Sequence, residues 1–490
     1  MVNVTRTPEG NLATWIDGEE VIYNLGDCAW VVTATVIVSI MPIGLGLLYA
    51  GLLRRKNALS MIFLAVATYT LGLLQWFFWG YSLTYSGGAN AFIGDLQHGG
   101  LVGVDIQPSP GSTAIPALLY SIYQGQFSSI AACVMIAGSA ERGRMGPFLI
   151  LVFCWLTIIY CPVACWVWNG AGWLYNAGEL DWAGGGPVHI TSGISSFVIS
   201  WFVGPRRGYG TTKLDYRPQS SYMVVLGTAF LFYGWCGFNG ASMSALNLKS
   251  FICVTNTFIA GAAGAFGWFA VDFFYTRRYS AVGMASGILG GLIGITPAVG
   301  YVGVPAAFGV GFLTAIACNF ATALKHFVKV DDAVDAFALH ACGGFFGAIL
   351  TGFFADSRVA SFDGLTEIEG GWINHNYKQM GWQLAGSLSI IVYTAVVTYI
   401  LLFLINLIPG CKFRSSEEAE IVGIDEAEVG EFAYDYLELR KDIEADSAHG
   451  FPAVMTSSTT DGRGRPDTRS HSGGSKDPVA SGKVEAASMA

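Results

Sequence analysis

Two histidines, His189 and His340, each lie in a nearly uncharged apolar stretch of membrane-spanning length, residues 182–204 and 333–355. An ionisable side chain at membrane depth is costly, so we expect it to line a pathway or a pocket. Imidazole has an ordinary pKa of about 6.5, which lets it donate or accept a proton near neutrality. The two residues therefore predict a pore for a small protonatable solute. The competing interpretation is two packing histidines with satisfied hydrogen bonds.

The elements that must position these histidines are hydrophobic helices. Of 490 residues, 53% are hydrophobic and 12% are charged, whereas soluble domains carry about 25% charged residues. Eleven apolar stretches approach the ~20 residues that cross a bilayer, and they begin near Ala29, Leu59, Ala114, Pro147, Val188, Tyr222, Phe251, Ala281, Ala306, Ala333 and Gly381. The composition predicts an all-α polytopic membrane protein with eleven transmembrane helices.

Basic residues predict the orientation of the chain. Lys and Arg concentrate in the loops that follow odd-numbered stretches, such as residues 54–56 and 206–217, and loops of this kind face the cytoplasm. The N-terminus is then extracellular, where Asn3 begins a glycosylation sequon. We expect an extracellular tail over residues 1–26 and a transmembrane domain over 27–409. A cytoplasmic regulatory segment over 410–444 and a disordered tail over 445–490 complete the chain.

A weak internal duplication relates the two halves. Each histidine lies in the fifth span of a five-span set and follows an aspartate, Asp181 by eight residues and Asp335 by five. Because five is an odd number, the two sets must be inverted relative to each other in the membrane. Inverted repeats commonly hold the transport site at their interface near the midplane. The eleventh span is expected to be an extra helix outside the repeats.

No motif in the chain predicts an enzyme. It contains no phosphate-binding loop and no nucleophile elbow. Cys161 and Cys165 share a helix face, but no Asp or Glu stands beside them, so a zinc site is not expected. We expect no catalytic residue, metal, cofactor or nucleic-acid partner.

Several segments together resemble the ammonium transporter family, which includes methylammonium permeases and the Rhesus proteins. These segments are DWAGGGPVHITSGISSFVISWFVGPR from Asp181, VDDAVDAFALHACGGFFG from Val330, GLLYAGLLRRKNALSM, YQGQFSSIAACVMIAGSAERGRM, YGWCGFNGAS and GITPAVGYVGV. The similarity covers roughly residues 27–440 and is greatest to the fungal ammonium permeases. It implies a plasma-membrane homotrimer with one pore per subunit, which takes up ammonium or methylammonium.

Carried over residue by residue, the resemblance implies a path of sites through the pore. The implied outer site is Trp168, Ser242 and Phe127; the gate is Phe127 and Phe238; the proton relay is His189 and His340; the supporting residues are Asp181, Asp335, Trp235 and Asn239. A Trp face attracts a desolvated cation by ~1–2 kcal/mol or more, and a hydroxyl can accept an N–H bond. Without the resemblance, a tryptophan in the membrane-interface belt and core or lipid-facing phenylalanines would be the simpler interpretations.

The implied mechanism deprotonates ammonium near the gate. A bare ion is costly in an apolar lumen, so ammonia and the proton would travel separately past uncharged histidines. Two other functions remain open. A sensor would signal ammonium availability through the cytoplasmic tail. A neutral-gas channel of the Rhesus kind is disfavoured by Trp168 and Ser242, which suit a cation.

The acidic segment of the tail predicts a docking interaction. Residues 417–444 are rich in Asp and Glu, and we expect them to bind the basic cytoplasmic loops and to set how open the pore is. Phosphorylation by a kinase at a site just downstream, for which Ser447 is the candidate, would add charge and shift the docked segment by repulsion.

Overall fold

The computed structural model describes residues 4–214 and 217–434, apart from the side chain of residue 213. Eight helical segments in this part of the chain are long and apolar enough to cross a membrane. The remaining predicted spans are also helical, at Ala117–Val134, Thr191–Val203 and Ala281–Ile295. The chain is therefore an all-α polytopic membrane protein, while the total of eleven crossings and the inverted repeats stay predictions.

The first half of the bundle runs from the N-terminal region to the helix that follows His189. Its helices are α1 (Leu25–Val38), α2 (Met41–Leu52), α3 (Ala58–Gln75), α4 (Tyr81–Tyr85), α5 (Ala117–Val134), α6 (Ile136–Ser139), α7 (Met145–Trp155), α8 (Cys161–Trp168), α9 (Trp173–Ala177) and α10 (Thr191–Val203). The π-helical turns Trp76–Gly80 and Leu156–Tyr160 join α3 to α4 and α7 to α8. Each joined pair reads as a single span in the sequence.

The second half continues to the end of the described chain. Its helices are α11 (Ser221–Gly240), α12 (Leu248–Thr276), α13 (Ala281–Ile295), α14 (Val304–Ala321), α15 (Leu324–Val328), α16 (Gly343–Phe354), α17 (Ser357–Ala360), α18 (Lys378–Leu407) and α19 (Glu417–Val422). Helix α12 packs on α13 and α14, α11 packs on α2, and α10 packs on α18. Small residues permit this close packing: a Cβ at Gly311 would lie 2.3 Å from the Ala260 carbonyl oxygen.

A small antiparallel sheet precedes the first membrane helix. Its strands are β1 (Val4–Arg6), β2 (Leu12–Ile16) and β3 (Glu19–Tyr23), in spatial order β1-β2-β3. The Tyr23 hydroxyl donates to the Ile106 carbonyl and ties the sheet to the loop before α5. Composition predicts residues 1–26 only as a polar tail, because these strands are too short for a strong alternating pattern.

Candidate functional site

The two histidines meet in the centre of the bundle. His189 lies in the π-helical turn Gly185–Ile190 before α10, and His340 lies in the equivalent turn Phe337–Cys342 before α16. Their Nδ1 atoms are 3.2 Å apart, and the exposed fractions of the two residues are 2% and 7%. One Nδ1 must donate and the other accept, so the pair shares one proton between its rings.

Two glycines allow the histidine turns to come this close. Gly193 and Gly344 each lie four residues after a histidine, one helical turn further along the same face. A Cβ at Gly193 would lie 2.2 Å from the Ala341 amide nitrogen, and a Cβ at Gly344 would lie 2.7 Å from the Gly185 carbonyl oxygen. Any larger side chain would push one histidine turn away from the other.

A buried aspartate holds the start of each histidine turn. The Asp181 carboxylate accepts the backbone N–H groups of Gly184, Gly185 and Gly186 at 2.7–2.9 Å. In the second half the same task falls to Asp332, which accepts two backbone N–H groups, at 2.8 and 3.2 Å.

This finding corrects the sequence prediction that Asp335 is the counterpart of Asp181 before the second histidine. Asp335 instead forms an ion pair with Lys325 at 2.6 Å, and its side chain is 33% exposed. Asp332 precedes His340 by eight residues, which is the spacing of Asp181 from His189. The equal spacing is a signal in the sequence that identifies Asp332, whereas simple proximity to the histidine favours Asp335.

Two stacked phenylalanine rings close the space next to the histidines. Phe127 on α5 and Phe238 on α11 are parallel to within 15°, with centroids 3.8 Å apart and 1% of each residue exposed. The Tyr123 hydroxyl donates to the carbonyls of Gly237 and Phe238 and fixes the end of α11. The rings of Phe238 and His189 are 6.5 Å apart, so the stacked pair and the histidine pair are neighbours.

The predicted outer residues lie on the other side of the stacked rings. The half-buried Trp168 ring meets Phe127 edge-on at 6.1 Å, and its Nε1 donates to the Asp181 carbonyl. The Ser242 hydroxyl donates to the Phe238 carbonyl at 2.7 Å. This bond uses the hydroxyl proton, so the oxygen lone pairs remain available to accept a hydrogen bond from a cation.

A small cavity connects the stacked rings with the histidines. Its volume is about 20 Å³, room for roughly one water-sized molecule. The Trp235 ring stacks on His189 at 5.4 Å and donates its Nε1 hydrogen to Thr296. The remaining wall is mostly aliphatic, from Met41, Leu45, Ile130, Val134, Val188, Leu231 and Leu289. His189 Nε2 is buried and has no hydrogen-bond partner in the described part of the chain.

Other predicted positions have different surroundings. The Asn239 side-chain amide nitrogen donates to the Thr257 hydroxyl, and the Asn239 backbone carbonyl accepts the Trp182 indole N–H. These bonds connect the end of α11 to α12 and to Trp182, and the supporting role of Asn239 stays a prediction. Asn3 and Ser447 lie outside the described residues.

The acidic segment docks on the loops that carry the basic residues. We call this end of the molecule, with the loops that contain Lys56, Arg144 and Arg207, the basic face. Asp425 accepts the backbone N–H groups of Leu59 and Ser60 and so caps α3, and Asn57 accepts the Ile424 N–H. Gly423 must be glycine here, since it has φ 112° and its Cβ would lie 2.5 Å from the Lys56 carbonyl oxygen.

Ion pairs supplement these backbone contacts. Glu428 binds Arg144 at 3.4 Å, and Glu417 pairs with Arg207. Glu420 accepts the Arg207 backbone N–H at 3.3 Å and binds Arg414 of its own segment at 2.6 Å. Docking of residues 417–434 therefore agrees with the prediction from charge, although much of the contact is made by backbone groups that charge could not reveal. Residues 435–444 lie outside the described residues.

Beneath the docked segment, a buried charge network joins the loops of the basic face. Arg206 binds Asp331 at 2.7 Å and Glu141 at 3.0 Å, and Arg54 binds Glu141 at 2.9 Å. Burial by itself raises the pKa of Glu141, but Arg206 and Arg54 outweigh it and hold that pKa below its ordinary value. The Arg142 carbonyl accepts the Ser415 N–H, which links the network to the tail.

Comparison with known proteins gives consistent matches. The model of the Ammonium Transporter Family matches residues 29–434. Ammonium transporter 1 of Schizosaccharomyces pombe is 45% identical over 415 residues, which cover 84% of this chain and 83% of that protein. Ammonium transporter MEP2 of Saccharomyces cerevisiae is 42% identical over 446 residues, 88% of this chain and 89% of that protein. The crystal structure of Candida albicans Mep2 has a TM-score of 0.77 at 43% identity and covers 81% of this chain and 87% of that one.

Proposed function

This chain belongs to the ammonium transporter family, and from that premise we propose that it takes up ammonium and methylammonium across the plasma membrane. The observation that carries the proposal is the contiguous arrangement of Trp168, the stacked Phe127 and Phe238, and the histidine pair, with a cavity of about 20 Å³ between Phe238 and the histidines. A cavity of this size admits ammonia but not a hydrated ion.

Capture of the cation begins at Trp168. The electron-rich face of its indole attracts ammonium, and the Ser242 lone pairs accept one N–H. Trp168 itself is held by its bond to the Asp181 carbonyl. The site therefore combines cation–π attraction with one directional acceptor, a combination that favours a small cation with N–H donors over neutral ammonia.

Deprotonation follows at the stacked rings. An unpaired ion pays a large desolvation cost in an apolar lumen, and rings 3.8 Å apart leave no room for a hydration shell. Ammonium therefore gives up one proton, and the neutral ammonia passes the rings. In the cavity ammonia exchanges hydrogen bonds with the imidazoles, while the released proton moves along the histidine pair, so that uptake carries charge.

We extend the proposal to topology, assembly and regulation. The basic face is cytoplasmic and the N-terminal sheet is extracellular, because Lys and Arg concentrate in loops on the cytoplasmic side. Three copies form the membrane unit, each with its own pore, as the resemblance implies. Residues 410–444 regulate the pore, and a kinase acting at Ser447 modulates their docking by adding charge.

The test measures ammonium uptake and current together in liposomes that contain the purified protein. Uptake with proportional current supports the full proposal, uptake without current supports conduction of neutral ammonia alone, and no uptake contradicts the function. Trp168→Leu removes a cation–π contribution of about 1–2 kcal/mol, which corresponds to a roughly 5- to 30-fold rise in the half-saturation concentration. Trp201→Leu is the matched control, because Trp201 is 59% exposed on α10.

A further inference from the structure

A lysine is buried at the end of the molecule opposite the basic face. Lys249 lies in the first turn of α12, and its side chain is 0% exposed. A lysine is almost never fully buried unless its charge is compensated. Here the Nζ atom lies 2.8 Å from Asp363 and over the rings of Trp182, at 4.6 Å, and Tyr301, at 5.9 Å.

The carboxylate partner of Lys249 is itself held in place. Asp363 accepts hydrogen bonds from the backbone N–H groups of Leu365 and Thr366 and from the Thr366 hydroxyl. Burial by itself raises the pKa of Asp363, but the bonds from Lys249 and Thr366 lower that pKa to about 2. The carboxylate thus stays charged at neutral pH, and Lys249 is fixed between a carboxylate and two aromatic faces.

Trp182 connects the Lys249 site to α11 and to the loop between α13 and α14. Its indole N–H donates to the Asn239 carbonyl, one residue beyond Phe238 of the stacked pair. Its backbone N–H donates to the Pro297 carbonyl in the loop between α13 and α14. The ring fits closely against Gly300, where a Cβ would lie 2.3 Å from an indole carbon.

Trp182 is also the immediate neighbour of Asp181, whose carbonyl accepts the Trp168 indole N–H. The orientation of Trp182 therefore affects Trp168 on one side and the end of α11 on the other. Lys249 lies over the Trp182 ring from α12, whereas Trp182 lies in the loop after α9.

We propose that Lys249 is a positioning residue for the outer site, acting through Trp182 to hold Trp168 and Phe238 in register for cation capture. This inference rests on the proposed transport of ammonium. Without the positive charge of Lys249 the Trp182 ring can move, and the outer site then captures ammonium less well at low concentration. The maximal rate at saturating ammonium changes less than the half-saturation concentration, because capture no longer limits uptake once the outer site is occupied.

The experiment measures the half-saturation concentration, the maximal rate and the amount of protein in the membrane for Lys249→Met, Lys249→Arg and Lys378→Met. Lys378→Met is the matched control, because Lys378 is exposed at the start of α18 at the same end of the molecule. We expect Lys249→Met to raise the half-saturation concentration about three- to tenfold. Lys249→Arg keeps a cation over the rings and should restore part of the loss, and the control should match the wild type.

A second variant separates positioning from folding. Trp182→Phe keeps a ring against Lys249 but removes the N–H that holds the Asn239 carbonyl, so it should also raise the half-saturation concentration. If Lys249→Met does not reach the membrane, the half-saturation concentration of Trp182→Phe tests the positioning role in its place. The inference is overturned if Trp182→Phe has the half-saturation concentration of the wild type. It is also overturned if Lys249→Met lowers the protein amount and the maximal rate but keeps the wild-type half-saturation concentration. Absent uptake by the wild type contradicts the proposed function instead.

Discussion

In the histidine pair, one nitrogen of each imidazole bonds to the other ring. This bond determines whether the second nitrogen of each ring donates or accepts a hydrogen bond. If the Nδ1 of one neutral ring donates, its Nε2 is an acceptor, and the Nε2 of the partner ring is then a donor. The Nδ1 contact at 3.2 Å between His189 and His340 therefore presents one acceptor and one donor. Ammonia, with one lone pair and three N–H groups, can bond to both.

Removal of either imidazole tests this complementarity. In His189→Ala or His340→Ala the remaining ring loses the partner of its Nδ1, at a cost of about 1–3 kcal/mol, and the cavity gains space for a hydrated ion. We expect protein in normal amount, with reduced ammonium uptake or a new potassium current. The exposed His326 is the control position, and His326→Ala should behave as the wild type. Unchanged uptake and unchanged exclusion of potassium in both pore variants would contradict the role.

The aspartates that cap the histidine turns allow a matched comparison. Asp332→Asn weakens the bonds to two helix N–H groups and should destabilise the protein by about 0.5–2 kcal/mol, with a parallel loss of uptake. Asp335→Asn breaks only the partly exposed ion pair with Lys325, which is worth about 0–1 kcal/mol. Thermal unfolding and uptake of the purified variants provide the measurement. A larger effect for Asp335→Asn than for Asp332→Asn would show that Asp332 is not the functional counterpart of Asp181.

At the scale of the element, the two histidine turns can approach each other only because glycines lie where they cross. A Cβ at Gly193 would overlap the Ala341 backbone, and a Cβ at Gly344 the Gly185 carbonyl. Gly193→Ala and Gly344→Ala should each cost about 1–3 kcal/mol through overpacking and should abolish most uptake by separating the imidazoles. Gly309→Ala on α14 meets nothing within 4 Å and should be tolerated. Normal uptake by both crossing variants would mean that the turns can move apart without loss of function.

Hydropathy predicts where these helices lie, because burial in lipid requires long apolar runs whatever the tertiary structure. It does not predict the π-helical turns that hold both histidines, since these follow from packing between segments far apart in the chain. The stacked phenylalanines show the same limit. Nothing in the local sequence of Phe127 or Phe238 distinguishes them from the other aromatic residues, and only the resemblance to a known family selected them.

The docked acidic segment is the second element with a testable role. Glu420 is 4% exposed and binds Arg414 and the backbone N–H of Arg207 in the loop after α10, whereas Glu418 in the same helix is exposed and has no ion pair in the part of the chain that the structure describes. Glu420→Gln should loosen the segment, increase its cleavage by protease and lower uptake at equal surface amount. Glu418→Gln removes the same charge without the contact and should change neither. An equal loss of uptake in the two variants would argue that total charge, rather than docking, controls the pore.

At the scale of the whole molecule, buried ion pairs lie at the two ends and leave the centre to the histidines. Loop composition predicts that the basic face is rich in Lys and Arg, but it does not predict their partners. Arg54 and Glu141 are 87 positions apart, and Arg206 and Asp331 are 125 apart. Such pairs depend on how the helices are arranged in space, so the sequence of one loop carries no information about them.

The network of the basic face predicts how stability depends on pH. Glu141 and Asp331 have pKa values below the ordinary range in the folded protein, so each stabilises the fold above its unfolded pKa, about 4. That stability is lost as the pH falls from about 4 through the lower folded values. Glu141→Gln should cost about 1–3 kcal/mol at pH 7, because it removes one of the two buried carboxylates that Arg206 binds and also the Glu141 ion pair of Arg54. Thermal unfolding of both proteins in detergent should give curves that converge at acid pH, where protonated Glu141 and glutamine are equivalent. A difference that stays constant from pH 7 to pH 3 would mean that the charge of Glu141 does not hold the loops together.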